Sequence, residues 1–149
     1  MTRRDDQRFD AFKLARLQGE LHGCVEPGSL ERLEDRVGDG EGRVDWTIRG
    51  GADAQGRPAI TVSLDGKVPL ECQRCLGLLE QPVHQSTTLL LARDDGDLLK
   101  LDQASEHEVV VASGPLDPVA LVEDELLLTL PFAPRHEAAC GARGEAAAE

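Results

Sequence analysis

The chain has 149 residues, enough for one domain with a sizeable buried core, and 40% of them are hydrophobic. With 28 Asp and Glu against 16 Lys and Arg its net charge is −12, which opposes wholesale binding to a polyanion. No Tyr, one Trp and three Phe leave little with which to stack single-stranded bases. No apolar run of about twenty residues is present to span a bilayer. Asp5, Asp6 and Asp10 interrupt the basic start where a secretory signal would turn apolar. A cytoplasmic location is the expectation, and there paired cysteines serve metal or redox chemistry sooner than structural disulfides.

The first eighteen residues set Arg3, Arg4, Arg8, Lys13 and Arg16 against three aspartates, a small basic arm or a solvated helix face. Phe9 to Leu17 has the apolar spacing of a short amphipathic helix, ended by Gly19. Glu20 to Val25 alternates weakly as a strand, and Pro27 to Leu33 opens a second short helix. Gly38 to Gly42 is a turn. Val44, Trp46 and Ile48 alternate with Asp45, Thr47 and Arg49, the signature of a half-buried strand. Gly50, Gly51, Asp53 and Gly56 turn the chain into a strand from Ala59 to Leu70. A further strand runs from Val83 to Leu91, making an antiparallel meander.

Arg93 to Asp97 opens a polar connector, read as a mobile loop, before a strand over Glu108 to Val111. Asp117-Pro118 places a good N-cap before a proline at the first helical position, and the helix it starts ends before Pro131. Residues 1–140 are expected to form a single domain and 141–149 a disordered tail. No internal repeat is present.

Cys72-Gln73-Arg74-Cys75 and His136…Cys140 are the chemically distinctive positions, a C-x2-C and an H-x3-C half-site. Zinc takes four soft or borderline donors in a tetrahedron, and two such pairs clip distant segments together. About sixty residues separate the pairs, so only the fold can unite them; the bland alternative is two thiols and a surface histidine. A redox C-x-x-C is the sharper rival, but it belongs at the start of a helix, where the dipole lowers a thiol pKa. Here strand-like sequence lies on both sides, and Gly77 and Pro82 discourage a helix. A zinc knuckle at a hairpin tip fits that context better.

Glu123-Asp124-Glu125 can be read as acid/base groups, as hard-cation ligands or, most simply, as a solvated helix face. Cys24 with His22 is an alternative ligand pair or a small core cysteine beside a surface histidine. His84 and His107 read as polar-face residues of strands.

Three segments occur in a telling order: Leu70-Glu71-Cys72-Gln73-Arg74-Cys75, then Glu123-Asp124-Glu125-Leu126-Leu127-Leu128-Thr129-Leu130-Pro131, then Pro134-Arg135-His136 and Cys140. Together they resemble the bacterial YceD family, also called DUF177 or the large ribosomal RNA subunit accumulation protein family. The resemblance implies a role in ribosome biogenesis, through accumulation of 23S rRNA, and no established reaction. The positions that match the family pattern are Cys72, Arg74, Cys75, Glu123, Asp124, Glu125, Pro131, His136 and Cys140. Members commonly continue into an Asn-Pro-Phe-containing, lysine-bearing tail, from which Gly141 to Glu145 departs.

The expected architecture is α+β: an antiparallel sheet of hairpins with an N-terminal helix and a C-terminal helix near 118–130. A structural zinc bound by Cys72, Cys75, His136 and Cys140 would close the site without an open coordination position. Arg74 at the tip and the Glu123–Glu125 cluster are the candidate partner contacts. The expected partner is a large-subunit ribosomal protein or the 23S rRNA precursor, with no membrane and no small-molecule substrate. An acidic adaptor or chaperone for a basic ribosomal protein is the alternative; a thiol or metal enzyme is the third reading.

Overall fold

A computed structural model describes residues 8–33, 37 and 42–131. Five strands form one sheet in the order β1-β2-β3-β4-β5: β1 is Glu20–Val25, β2 Arg43–Ala52, β3 Pro58–Glu71, β4 Leu78–Ala92 and β5 Glu108–Val111. β2, β3 and β4 form the expected antiparallel meander, β1 adds to the outer edge of β2, also antiparallel, and the class is α+β. The sheet is mixed rather than wholly antiparallel, because β5 pairs with β4 in parallel, Leu89 opposite Glu108 through Ala92 opposite Val111.

That parallel pair needs a crossover, and α2 (Asp95–Ala104) supplies it where the sequence suggested a loop. Its start is fixed by reciprocal aspartates: the Asp97 N–H donates to the Asp94 carboxylate at 2.8 Å, and the Arg93 N–H donates to the Asp97 carboxylate at 2.9 Å. The same acids that read as a polar connector are capping groups. No residue of α2 is buried, which is why apolar periodicity did not reveal it.

The other helices lie close to expectation. In α1 (Ala11–Leu17) the Asp10 side chain caps the Lys13 N–H, and Gln18 ends the helix in the left-handed region at φ 53°. Pro27–Ser29 and Glu31–Leu33 form two 3-10 turns in place of one short helix. Asp117 caps α3 (Pro118–Thr129) at the Val119 N–H, with Pro118 in the first turn.

Alternation along the strands builds one apolar face. Val44, Trp46 and Ile48 of β2 lie beside Leu64 and Val62 of β3, and Leu89 and Leu91 of β4 extend the same face. Leu30 and Leu33 of the 3-10 turns and Leu121, Val122, Leu126 and Leu130 of α3 close over it. The Phe9 N–H and C=O bond reciprocally with Leu116, tying the start of the chain to the approach to α3. The β2–β3 turn is held by Asp53, whose carboxylate accepts from the Gln55 and Arg57 N–H groups and from Arg57 Nε, with Gly56 at φ 81°.

Candidate functional site

β3 and β4 are the longest strands, and at one end they outrun the rest of the sheet. Pairing with β2 ends at Lys67, whereas β3 and β4 stay paired from Val68 opposite Gln81 to Glu71 opposite Leu78. C-x2-C forms the tip of this arm, as its flanks suggested. The Cys72 N–H donates to the Gly77 carbonyl at 2.9 Å and the Leu76 N–H to the Cys72 carbonyl at 2.8 Å. Leu76 takes φ 63°, a left-handed conformation that costs a non-glycine residue about a kilocalorie per mole. The result aims the Gly77 N–H at Cys75 Sγ, 3.4 Å away.

Cys72 is fully buried and Cys75 half-buried, and the two are not joined to one another as a disulfide. His136 and Cys140, the other half-site, lie outside the described residues. Among the described residues no three His, Cys, Asp or Glu side chains come together as a metal site. The two described donors, a pair of sulfurs presented by one turn without a helix dipole, are of the type that zinc prefers.

Arg74 is exposed at the apex, beside Leu76 and Leu78, which are 66% and 52% exposed. His22 and Cys24 project outward from edge strand β1, remote in register from the tip, and His107 is exposed before β5. His84 is exposed on β4 with its Nδ1 3.4 Å from Asp65.

The Glu123–Glu125 run does not form a uniformly solvated face. Glu123 and Glu125 are buried, whereas half of the Asp124 side chain is exposed. Glu123 accepts the Arg32 backbone N–H at 2.9 Å and lies 3.3 Å from Arg32 Nε, while the other end of the guanidinium binds Asp124. One arginine from the 3-10 turn thus fastens it to α3. Glu125 points toward β4, where Gln85 Nε2 donates to it at 3.5 Å and Thr87 also bonds to it. Gln85 and Thr87 are polar interruptions on the core-facing side of β4, and that pair is the signal in the sequence for a buried polar partner.

Burial pushes the Glu125 carboxyl above its ordinary range; the Thr87 bond works against this, and neighbouring Glu108 and Asp124 add to it. The unfolded carboxyl titrates near pH 4.3, so this group favours the folded state fully below that pH. The contribution is lost as pH rises through the higher folded value. Glu125→Gln, which keeps the shape without the charge, is therefore expected to be more stable than the parent at pH 7 and to match it near pH 4. Urea unfolding at the two pH values measures both differences. An offset independent of pH would remove the ionisation of Glu125 as its cause.

Beside these acids is a cleft of about 360 Å³ between α3 and β5. Leu89, Val110, Leu121 and Leu128 give it apolar walls, and Glu108, Asp124 and Glu125 line it with carboxylates. Sequence reasoning found the acids of α3 but not this cleft, because only the parallel placement of β5 brings Glu108 opposite them.

No helix among the described residues is long and apolar enough to cross a membrane. Comparison with known proteins matches residues 60–148 to the family described as large ribosomal RNA subunit accumulation protein YceD. That stretch contains both half-sites, the hairpin arm and α3. A protein of Haemophilus influenzae with the same description is 28% identical over 127 residues, covering 85% of this chain and 73% of the relative. The likeness therefore reaches into the N-terminal third. No solved structure matches the chain. With more than half of its length, including the C-x2-C hairpin and α3, matched to the family's pattern, the chain belongs to the YceD family.

Proposed function

We propose that this protein is a non-enzymatic assembly factor that supports accumulation of the large-subunit ribosomal RNA in the bacterial cytoplasm. The observation that carries the reading is family membership across the hairpin and α3, together with the name of the Haemophilus relative. Cys72, Cys75, His136 and Cys140 hold a structural zinc in this reading, and four protein donors leave no position for a substrate water. Arg74 at the apex contacts the assembly partner, whether the 23S rRNA precursor or a protein bound to it.

A second reading, an acidic adaptor for a basic ribosomal protein, is favoured by the net charge of −12 and by the carboxylates of the cleft. Deleting the gene and measuring the ratio of large- to small-subunit rRNA tests the common ground. The ratio is expected to fall and to be restored by the wild-type chain; a ratio unchanged by deletion would overturn the assembly role.

A further inference from the structure

We propose that the cleft between α3 and β5 receives an extended, lysine- or arginine-bearing segment of a partner protein, which adds to β5 as a sixth strand. This inference rests on the assembly-factor reading and specifies how that factor grips a protein.

Three features define the occupant. β5 ends the strand order, so among the described residues its outer edge pairs with no strand, leaving main-chain donors and acceptors for an incoming one. Next to that edge, α3 presents Leu121, Asp124, Glu125 and Leu128 as one stripe, with Leu128 68% exposed. On β5, Glu108 and Val110 lie two residues apart and both line the cleft, so an added strand meets a carboxylate and an apolar group on the same side. The matching segment carries a basic and an apolar residue at alternate positions.

Charge decides the class of partner. Glu108, Asp124 and Glu125 converge on the cleft, and among the described residues the one cation lining it, Arg32, is already engaged by Glu123 and Asp124. A nucleic-acid phosphate would meet a surplus of carboxylates here, whereas an ammonium or guanidinium relieves their mutual repulsion. The long apolar stems of Lys and Arg also suit walls of Leu and Val. Contact with RNA, if made, belongs elsewhere, and the arm bearing Arg74 is at the other end of the hairpin.

The test uses the full-length chain with the photo-crosslinking residue p-benzoylphenylalanine in place of Leu128, in cells whose own copy of the gene is deleted. Adducts are digested and their attachment sites read by mass spectrometry. The expected adduct is a Lys/Arg-bearing segment of another protein, with a yield that falls about tenfold in Glu108→Arg and by a smaller factor in Glu108→Gln. Glu108 is exposed, and thermal melting of both variants checks that they fold as the parent does. An adduct with RNA, with this chain or a second copy, no adduct, or a yield indifferent to Glu108→Arg would each overturn the proposal. The rRNA ratio scored in the same strains separates the two ideas. Wild-type rescue with one of those overturning outcomes removes only the cleft; a protein adduct with no rRNA defect on deletion removes the assembly role.

Discussion

Gly66→Ala is expected to lose roughly 3 kcal/mol or more of folding stability, a large part of the 5–15 kcal/mol typical of a domain. A Cβ built at Gly66 would stand 2.0 Å from the Arg43 carbonyl oxygen and 2.7 Å from the Val44 Cα. Both are backbone atoms of β2, so no side-chain rotation can relieve the clash; the β2–β3 pair must separate where Val44 is packed in the core. Gly50→Ala belongs to the same class, since its Cβ would lie 2.1 Å from the Leu14 carbonyl oxygen and push α1 off the sheet. Gly51→Ala is the control, with nothing within 4 Å of the new methyl, and is expected to stay within about 0.5 kcal/mol of the parent. Urea unfolding of the three variants measures the contrast. If Gly66→Ala and Gly51→Ala unfold at the same midpoint, close backbone approach is not what Gly66 provides.

Those glycines mark a boundary in what a sequence discloses. Gly50-Gly51 suggests a turn, yet both residues lie inside β2 and the turn comes after Ala52. Local chemistry describes what a glycine permits, and only the packing of α1 shows which of the two is needed. Features fixed by neighbouring residues were legible: the N-cap of α3, alternation in β2, and the hairpin around C-x2-C. The features that escaped depend on distant partners. The order of β5 beside β4 follows from a crossover whose helix buries none of its residues, and the acids of α3 change character because Arg32, Gln85 and Thr87 come from other elements. Half of the proposed metal site was visible as a turn.

Zinc analysis of Cys72→Ser, in protein prepared without a metal-affinity tag, is expected to show the metal falling from about one per chain to none. The side chain is fully buried at the base of the turn, and in the proposed staple its loss removes one ligand and leaves Cys75 with half a knuckle. Structural zinc in small peptides supplies about 10–16 kcal/mol of apparent binding energy. Here the sheet has its own core, so loss of the metal should loosen the arm and lower Tm on the order of 10 °C. Cys140→Ala should lose the metal equally if the proposed staple holds, because there it opens the same tetrahedron from the other half-site. Cys24→Ser should retain it, since Cys24 is exposed on β1. A strong chelator should bring the wild-type melting curve down to that of Cys72→Ser and leave Cys72→Ser unmoved, because no metal remains to remove. Well-folded wild-type protein without zinc would sink the staple. Cys72 and Cys75 would then have to act as a redox pair or as a partner-facing tip. Selective alkylation of one thiol at neutral pH would point to the redox pair, because a depressed thiol pKa is what such chemistry requires. Metal retained in Cys140→Ala but lost in Cys72→Ser would break the pairing of the half-sites, leaving the hairpin as a metal site whose remaining ligands come from elsewhere.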